Sequence, residues 1–254
     1  MDNDKIITAR IEDKLEQCER GSYITTTGFL NMHEQSLAMR IVKGRSDVKS
    51  FFYGGYDDAE RRIILFVPDG YADTLEGALE MISPLSVLHI KVAPGSRKLT
   101  HRDYLGSVLS LGLDRSVIGD ILVNDKGADM IVNSDIVDFL LSEFHSAGHT
   151  NLQITASDIG ELEVPEQRVK AVRDTISSPR LDNVVSAAFH VSRSEAVRAI
   201  KGGIVFVNHE EVTKIDKRVD EGDTIVLRGK GKAVLTELSG LSKKGRIWAE
   251  FKVF

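Results

Sequence analysis

Residues 177–232 contain the most strongly ordered pattern in this chain of 254 residues. Two short segments of helical character carry arginine and lysine, and a Gly-Gly pair at 202–203 follows them. An apolar segment ending in Val-Asn comes next, and a Gly-Asp turn leads to another that ends in Arg-Gly-Lys-Gly-Lys. Because glycine permits the positive φ of a sharp helix exit, the pattern predicts two helices followed by two strands. This order suits binding to a nucleic-acid backbone and contains no obvious catalytic constellation.

The charge of the chain is divided unevenly along its length. The formal net charge is −5, yet residues 180–254 hold 14 Lys and Arg against 10 Asp and Glu, whereas residues 1–179 hold 19 against 28. Binding to a polyanion depends on how many phosphates are neutralised locally, so the overall acidity does not argue against RNA. The C-terminal part is therefore the basic module of an acidic protein.

Residues 1–75 are predicted to form an N-terminal α+β module. Apolar residues at near-helical spacing predict a first helix over 2–19, and Asn31 is expected to cap a second helix. Two runs rich in β-branched and aromatic residues, joined near Gly54 and Gly55, predict two strands. Arg61 and Arg62, which follow an acidic cluster, are expected to pair with acids at the protein surface.

Residues 76–165 predict the order β-α-β-β-α-β, which ferredoxin-like and RNA-recognition domains share. Ser134 is expected to cap the second helix, and residues 157–167 are expected to form a linker. RNA-recognition domains stack bases on strand aromatics, but the central strands here carry no Phe, Tyr or Trp. A spacer or protein-docking role therefore stays open beside RNA contact through residues 95–98 and 101–102.

Residues 180–254 are predicted to form the RNA-binding domain. Ser192 is expected to cap the second helix, and Arg193 and Lys201, eight residues apart, share a broad face of it at about 100° per residue. Asp182 is expected to be the N-cap of the first helix, and Arg180 either pairs with an acid or meets a phosphate. The candidate RNA-binding residues are Arg180, Ser192, Arg193, Arg198, Lys201, Asn208, Lys214, Arg228, Lys230 and Lys232.

The remaining polar residues of this domain carry less specific expectations. Asn208 is expected in a turn, where asparagine tolerates the left-handed conformation. Lys230 and Lys232, at a glycine-spaced strand end, form either a phosphate clamp or a solvated turn. The run Lys243, Lys244 and Arg246 is typical of solvated surface.

Several segments of the chain resemble known families. RLDNVVSAAF, SRSEAVRAIKGGIVFVN and GDTIVLRGKGK resemble the RNA-binding domain typified by the small-subunit ribosomal protein S-four. With TTTGFL and HEQ, FFYGGYDDAERR and VIGDILVNDKGADMIVNSDIVDFL, nearly the whole chain resembles the YlmH family of bacterial proteins. That resemblance implies RNA binding, genes near the cell-division cluster, and handling of stalled large ribosomal subunits that still hold peptidyl-tRNA.

Enzymatic alternatives are weaker. Pseudouridine synthases use an Arg-Leu-Asp motif, but Arg180-Leu181-Asp182 lies inside the RNA-binding domain and lacks that family's continuation. The seven histidines are scattered, and the single Cys18 offers no thiolate pair for zinc. We therefore expect no catalytic residue, no metal and no cofactor.

The sequence thus predicts an α+β protein of three modules that binds structured RNA, ribosomal or transfer, with the large ribosomal subunit as partner in quality control. The alternative is an interaction scaffold of cell division in which RNA binding is secondary, and which would contact division proteins. No membrane span and no secretory signal are recognised, so a cytoplasmic location is expected.

Overall fold

The computed structural model describes residues 2–45, 47–164 and 169–254. The chain forms two compact units, residues 1–165 and 166–254. The mixture of helices and strands confirms the predicted α+β class. None of the described helices combines the length and the apolar character that a bilayer span requires.

The first part of the N-terminal unit is a three-stranded antiparallel sheet with order β1-β3-β2 and three helices. Its elements are α1 (Asp2–Gly21), β1 (Thr25–Thr26), α2 (Met32–Val42), β2 (Val48–Tyr53), β3 (Ile63–Pro68) and α3 (Leu75–Met81). Asn31 caps α2, as predicted, in a reciprocal capping box with Glu34. Strand β3 is apolar throughout because both of its faces are buried, Ile64 and Phe66 towards α1 and α2 and Leu65 towards the opposite side.

The second part of the N-terminal unit has the predicted β-α-β-β-α-β order. Its elements are β4 (Leu85–Val92), α4 (His101–Leu109), β5 (Ile118–Val123), β6 (Gly127–Asn133), α5 (Val137–Glu143), β7 (Ser146–Ala147) and β8 (Thr150–Asp158). All paired strands of the sheet, in the order β5-β6-β4-β8-β7, are antiparallel, which is the ferredoxin-like arrangement. Tyr104 of α4, Leu140 of α5 and the strand residues Leu88 and Met130 form the core between the helices and one face.

The opposite face of this sheet is partly covered by the first part of the same unit. Ile131 of β6 and Leu85 of β4 belong to one buried cluster with Phe29, Leu65 and Val67. RNA-recognition domains present this face to bases. Here, protein already occupies part of it, and the predicted modules 1–75 and 76–165 share a core.

Two local expectations in this unit are wrong. Ser134 does not cap α5: its hydroxyl donates to the Ser83 carbonyl at 2.7 Å, and Ile136, which precedes α5, makes no side-chain cap. The predicted linker begins as regular structure, since Ser157 and Asp158 end β8 and a single 3-10 turn follows at Ile159–Glu161. Residues 165–167 of that prediction lie outside the described residues.

The C-terminal unit packs two helices on one face of a six-stranded antiparallel sheet with order β11-β10-β12-β13-β14-β9. Its elements are β9 (Lys170–Ile176), α6 (Leu181–Phe189), α7 (Arg193–Lys201), β10 (Val205–Val207), β11 (Glu210–Glu211), β12 (Thr224–Leu227), β13 (Gly231–Leu241) and β14 (Ile247–Val253). The core includes Val184 and Ile200 from the helices and Val205, Ile225 and Phe251 from the strands. Strand β9 precedes residue 180, the predicted start of the domain, yet pairs with β14 along its whole length.

The turns of this unit follow the glycine pattern with one correction. Gly203 has φ 68° directly after α7, so the Gly-Gly pair provides the predicted helix exit. Strand β12 ends at Leu227, which pairs with Gly231 of β13. Arg228 and Lys230 therefore lie in a hairpin turn, whereas the sequence placed them in a strand end.

Candidate nucleic-acid interface

Asp182 occupies a different position from the one predicted. Helix α6 begins after Arg180, which is the N-cap residue and makes no side-chain cap bond. Asp182 lies in the first turn, where a negative charge faces the positive end of the helix dipole. The expectation that Asp182 is the N-cap is wrong because the backbone turns into the helix two residues earlier.

The Asp182 carboxylate binds two arginines. Its side chain is 1% exposed; Oδ2 lies 2.9 Å from Arg193 Nε and 2.8 Å from Arg193 Nη2, and Oδ1 accepts from Arg180 Nε at 3.1 Å. Burial alone would raise the pKa of Asp182, but the hydrogen bonds and charges of Arg193 and Arg180 outweigh burial and lower it. The carboxylate is therefore ionised at neutral pH and holds both guanidinium groups.

The two arginines stay accessible despite these bonds. Their side chains are 39% exposed for Arg180 and 61% for Arg193. A guanidinium group has five N–H donors in a planar fork, so contact with one carboxylate leaves donors for a second anion. Arg180, for which two roles were open, pairs with an acid and still presents an exposed surface.

Ser192 caps the N-terminus of α7, as predicted, but an acidic side chain of the protein completes the cap. Ser192 is the N-cap, with its Oγ accepting from Glu195 N at 3.2 Å. The Glu195 carboxylate in turn accepts from Ser192 N at 2.8 Å and from Ser192 Oγ at 2.7 Å. A phosphate at this helix end would compete with a carboxylate of the protein itself, so direct contact through Ser192 stays a prediction.

Cations from α7 and from the hairpin turn lie on one surface. Arg198 and Lys201 are exposed, and the Arg228 N–H donates at 3.0 Å to the Ile204 carbonyl directly after α7. Bonds from Ser192 lower the pKa of Glu195 most, and the nearby charges of Arg198 and Lys230 lower it further. The turn between β12 and β13 therefore adds its charges to those of the helix.

The loop that carries Lys214 packs against the start of α6. The Asp182 N–H donates to the Ile215 carbonyl at 3.2 Å, and the Leu181 N–H donates to the Lys217 carbonyl at 2.8 Å. Lys214 is exposed on this loop. Arg218, which the sequence reasoning did not single out, pairs with Arg180 in an isolated antiparallel backbone bridge, and its side chain forms an ion pair with Asp220 at 2.7 Å.

Two predicted residues lie apart from this surface. Asn208 has φ 50° in the turn after β10, as predicted. Its side chain is bonded within the protein: Nδ2 donates to Asp223 Oδ1 at 2.7 Å, and Oδ1 accepts from Thr224 N at 2.9 Å. This turn is at the opposite end of β12 from Arg228. Lys232 pairs with Val226 and stacks over the Phe254 ring, with Nζ 4.4 Å from the ring centroid, on the sheet face away from the helices.

Comparisons with known proteins agree with the resemblance read from the residues. Residues 3–71 match a family model described as "YlmH, N-terminal", residues 84–161 match "Putative RNA-binding domain in YlmH", and residues 179–225 match "S4 domain". A curated relative from Bacillus subtilis (strain 168), "Ribosome-associated protein quality control protein P2", is 33% identical over 220 residues, which cover 87% of this chain and 83% of the relative. The chain belongs to the YlmH family.

A solved structure extends the likeness to the fold. The chain resembles "Cell division protein ylmH from Streptococcus pneumoniae" with a TM-score of 0.50 and 21% sequence identity, over 63% of this chain and 93% of that one. At this identity the match shows a shared fold alone. The C-terminal unit of this YlmH-family protein carries the S4 domain, and the Asp182-centred arginines belong to it.

Proposed function

We propose that this YlmH-family protein is a non-enzymatic, cytoplasmic RNA-binding protein that holds structured RNA through its C-terminal unit. The observation that carries the proposal is the pair Arg180 and Arg193, exposed and fixed on the buried Asp182. Arginine forks held in place recognise phosphate groups with two parallel hydrogen bonds, and such contacts position a protein on RNA. We assign the adjoining contacts to Arg198, Lys201, Lys214, Arg228 and Lys230.

The partner that we propose is ribosomal or transfer RNA on the large ribosomal subunit that retains peptidyl-tRNA after stalling. Support comes from the name of the Bacillus subtilis relative, a ribosome-associated quality control protein. The C-terminal unit is basic and the rest of the chain is acidic. This division agrees with RNA binding by the C-terminal unit and with a different kind of partner for the N-terminal unit. No enzymatic step is part of the proposal, since Asp182, the acid of the Arg-Leu-Asp motif, is buried against two arginines.

Binding to isolated large ribosomal subunits tests the proposal. The double variant Arg193→Ala and Lys201→Ala should weaken binding and reduce the slope of log affinity against log salt by about 1.4 to 1.8, since each phosphate contact contributes roughly 0.7 to 0.9. The matched control, Lys243→Ala with Lys244→Ala, removes the same charge from the turn between β13 and β14. Equal loss in both variants, or no change in slope, would refute the assigned surface.

Co-sedimentation separates the two function classes. An RNA-binding protein of the proposed kind pellets with large subunits at low salt and is released as salt rises. A division scaffold with secondary RNA binding stays in the supernatant at low salt. Crosslinking the protein to RNA in cells and sequencing the attached fragments then identifies the RNA.

A further inference from the structure

A pocket in the N-terminal unit gathers cations that the RNA-binding surface does not use. Its volume is about 410 Å³, and it lies between α1 and the segment that leads into β5. Arg10 and Lys14 line it from successive turns of α1, and Arg61 and Arg115 line it from the other side. Phe29 and Ile7 provide apolar wall.

Arg61 and Arg115 share one acceptor. Arg61 Nε donates to the Ile118 carbonyl at 3.1 Å, and Arg115 Nη1 donates to the same oxygen. Two positively charged groups are thereby held side by side. Like charges at this separation repel one another unless an anion balances them.

The other partners of the two guanidinium groups are also neutral, although the backbone N–H of Arg61 donates to Asp120 Oδ1 at 3.1 Å. Arg61 Nη2 donates to the carbonyls of Phe29 at 2.8 Å and Arg115 at 3.2 Å, and Arg115 donates to the Gly119 carbonyl at 3.2 Å. The expectation that Arg61 pairs with an acid at the surface is therefore wrong. These backbone carbonyls carry no net charge and leave Arg61 Nη1 and Arg115 Nε without a hydrogen bond to the described residues, while the carboxylates of Glu34 and Asp120 offset part of the positive charge from a distance.

Burial confirms that this arrangement has an energetic cost. Desolvation lowers the pKa of Arg61, and it lowers the pKa of Arg115 to about 10, with the charge of Arg61 adding to the fall; the charges of Glu34 and Asp120 oppose the fall at both groups without cancelling it. Both groups still carry their charge at neutral pH. An anion in the pocket would stabilise both charged forms.

Two of the three acids that line the pocket accept hydrogen bonds from backbone N–H groups, although the charge of Glu34 also acts on Arg61 and Arg115. Glu34 Oε2 accepts from Asn31 N at 2.7 Å to cap α2, and Asp114 Oδ1 accepts from Ser116 N at 2.8 Å to cap a 3-10 turn. Asp13, the third acid, is exposed on α1. Within residues 2–45, 47–164 and 169–254, no ion pair joins a carboxylate to any of the four cations: Arg10, Lys14, Arg61 and Arg115.

We propose that this pocket binds a phosphate group carried by a ligand of mononucleotide size. Arg61 and Arg115 form the fixed floor that receives the phosphate, and Arg10 and Lys14 close over it from α1. The volume lies within the range of roughly 300 to 1,000 Å³ that small-molecule sites occupy. The phosphate belongs either to a free nucleotide or to the 5′ end of an RNA.

Calorimetric titration of the full chain tests this site, with inorganic phosphate, adenosine monophosphate, and a short RNA carrying either a 5′-phosphate or a 5′-hydroxyl as probes. Saturable binding of the monophosphate should weaken about tenfold in Arg10→Gln, the loss expected for one charged hydrogen bond. Arg10 is exposed on α1, so this variant keeps the fold. The matched control is Arg102→Gln on α4, an exposed arginine outside the pocket.

The outcomes distinguish the sources of the phosphate. If the 5′-phosphorylated RNA binds more tightly than both the monophosphate and the 5′-hydroxyl RNA, the site receives an RNA end. If the monophosphate binds as tightly as the 5′-phosphorylated RNA or more tightly, the site receives a free nucleotide. No saturable binding at millimolar concentration, or equal affinity in Arg10→Gln and wild type, overturns the proposal. Because the Arg193 and Lys201 surface is intact in these variants, binding to large subunits reports on the proposed function separately.

Discussion

Arg193, the first residue of α7, donates from Nε to Oδ2 of Asp182, the second residue of α6 and eleven positions earlier in the chain, and its Nη2 lies 2.8 Å from the same oxygen. This contact joins the two helices through a carboxylate that is 1% exposed. The acid thus sets the direction in which the exposed Arg193 guanidinium group points.

Asp182→Asn should separate positioning from charge. The variant raises the net charge by one, so charge alone predicts tighter RNA binding, whereas loss of the fixed arginines predicts weaker binding. We expect weaker binding, and a loss of about 1 to 3 kcal/mol in the free energy of unfolding, because a buried charge-assisted hydrogen bond is removed. Asp216→Asn, at an exposed acid of the same unit, is the control for net charge. Tighter binding in Asp182→Asn would contradict the positioning role.

The same carboxylate predicts a pH dependence of stability. The folded state holds the pKa of Asp182 below its ordinary value, so the stabilisation is fully present above about pH 4 to 5 and is lost as the pH falls through the lowered pKa. Urea unfolding of wild type and Asp182→Asn between pH 7 and pH 3 measures this. The difference between the two proteins should shrink towards the acid end, and a constant difference would contradict the linkage.

Glu195→Gln should strengthen RNA binding. Glutamine can replace the acceptor of the capping box, while the negative charge beside Arg198 and Lys230 is removed. We expect higher affinity in filter binding at low salt, and a smaller gain at high salt because the effect is electrostatic. Glu237→Gln on β13 removes an equal charge away from the helices. An equal gain in that control would mean that net charge alone is responsible.

Gly127→Ala should destabilise the N-terminal unit. Gly127 has φ 154°, and a Cβ there would lie 1.9 Å from the Ile90 carbonyl oxygen of the neighbouring strand. The backbone must move, so we expect the free energy of unfolding to fall by about 3 kcal/mol or more. Gly160→Ala, with nothing within 4 Å of its Cβ, should change it little. Chemical unfolding followed by circular dichroism compares the two.

Local sequence rules predicted the α+β class and two of the four expected helix caps. Asn31 and Ser192 cap their helices, and Gly203 adopts the positive φ of the helix exit, because each depends on residues within one turn. The ferredoxin-like order and the α+β class followed from apolar periodicity for the same reason.

Contacts between distant residues were not predictable in this way. Asp182 was assigned a local cap, but its partner Arg193 is reached only when α6 and α7 pack together. His89 is a second example: its ring lies 2.6 Å from Asp129 and 2.8 Å from Ser157 because the register aligns β4, β6 and β8. The sequence placed Lys230 and Lys232 together at one strand end. In the structure Lys230 lies in the hairpin turn, whereas Lys232 lies in β13 on the sheet face away from the helices.

The cluster that joins Ile131 with Phe29, Leu65 and Val67 limits how the chain can be divided. A fragment ending at residue 75 would expose Phe29, Leu65 and Val67 to water. A fragment starting at residue 76 would expose Ile131. Each fragment would therefore expose an apolar patch of the kind that promotes aggregation. The two segments that different family models match therefore depend on one another for folding, because they belong to one compact unit with a shared core.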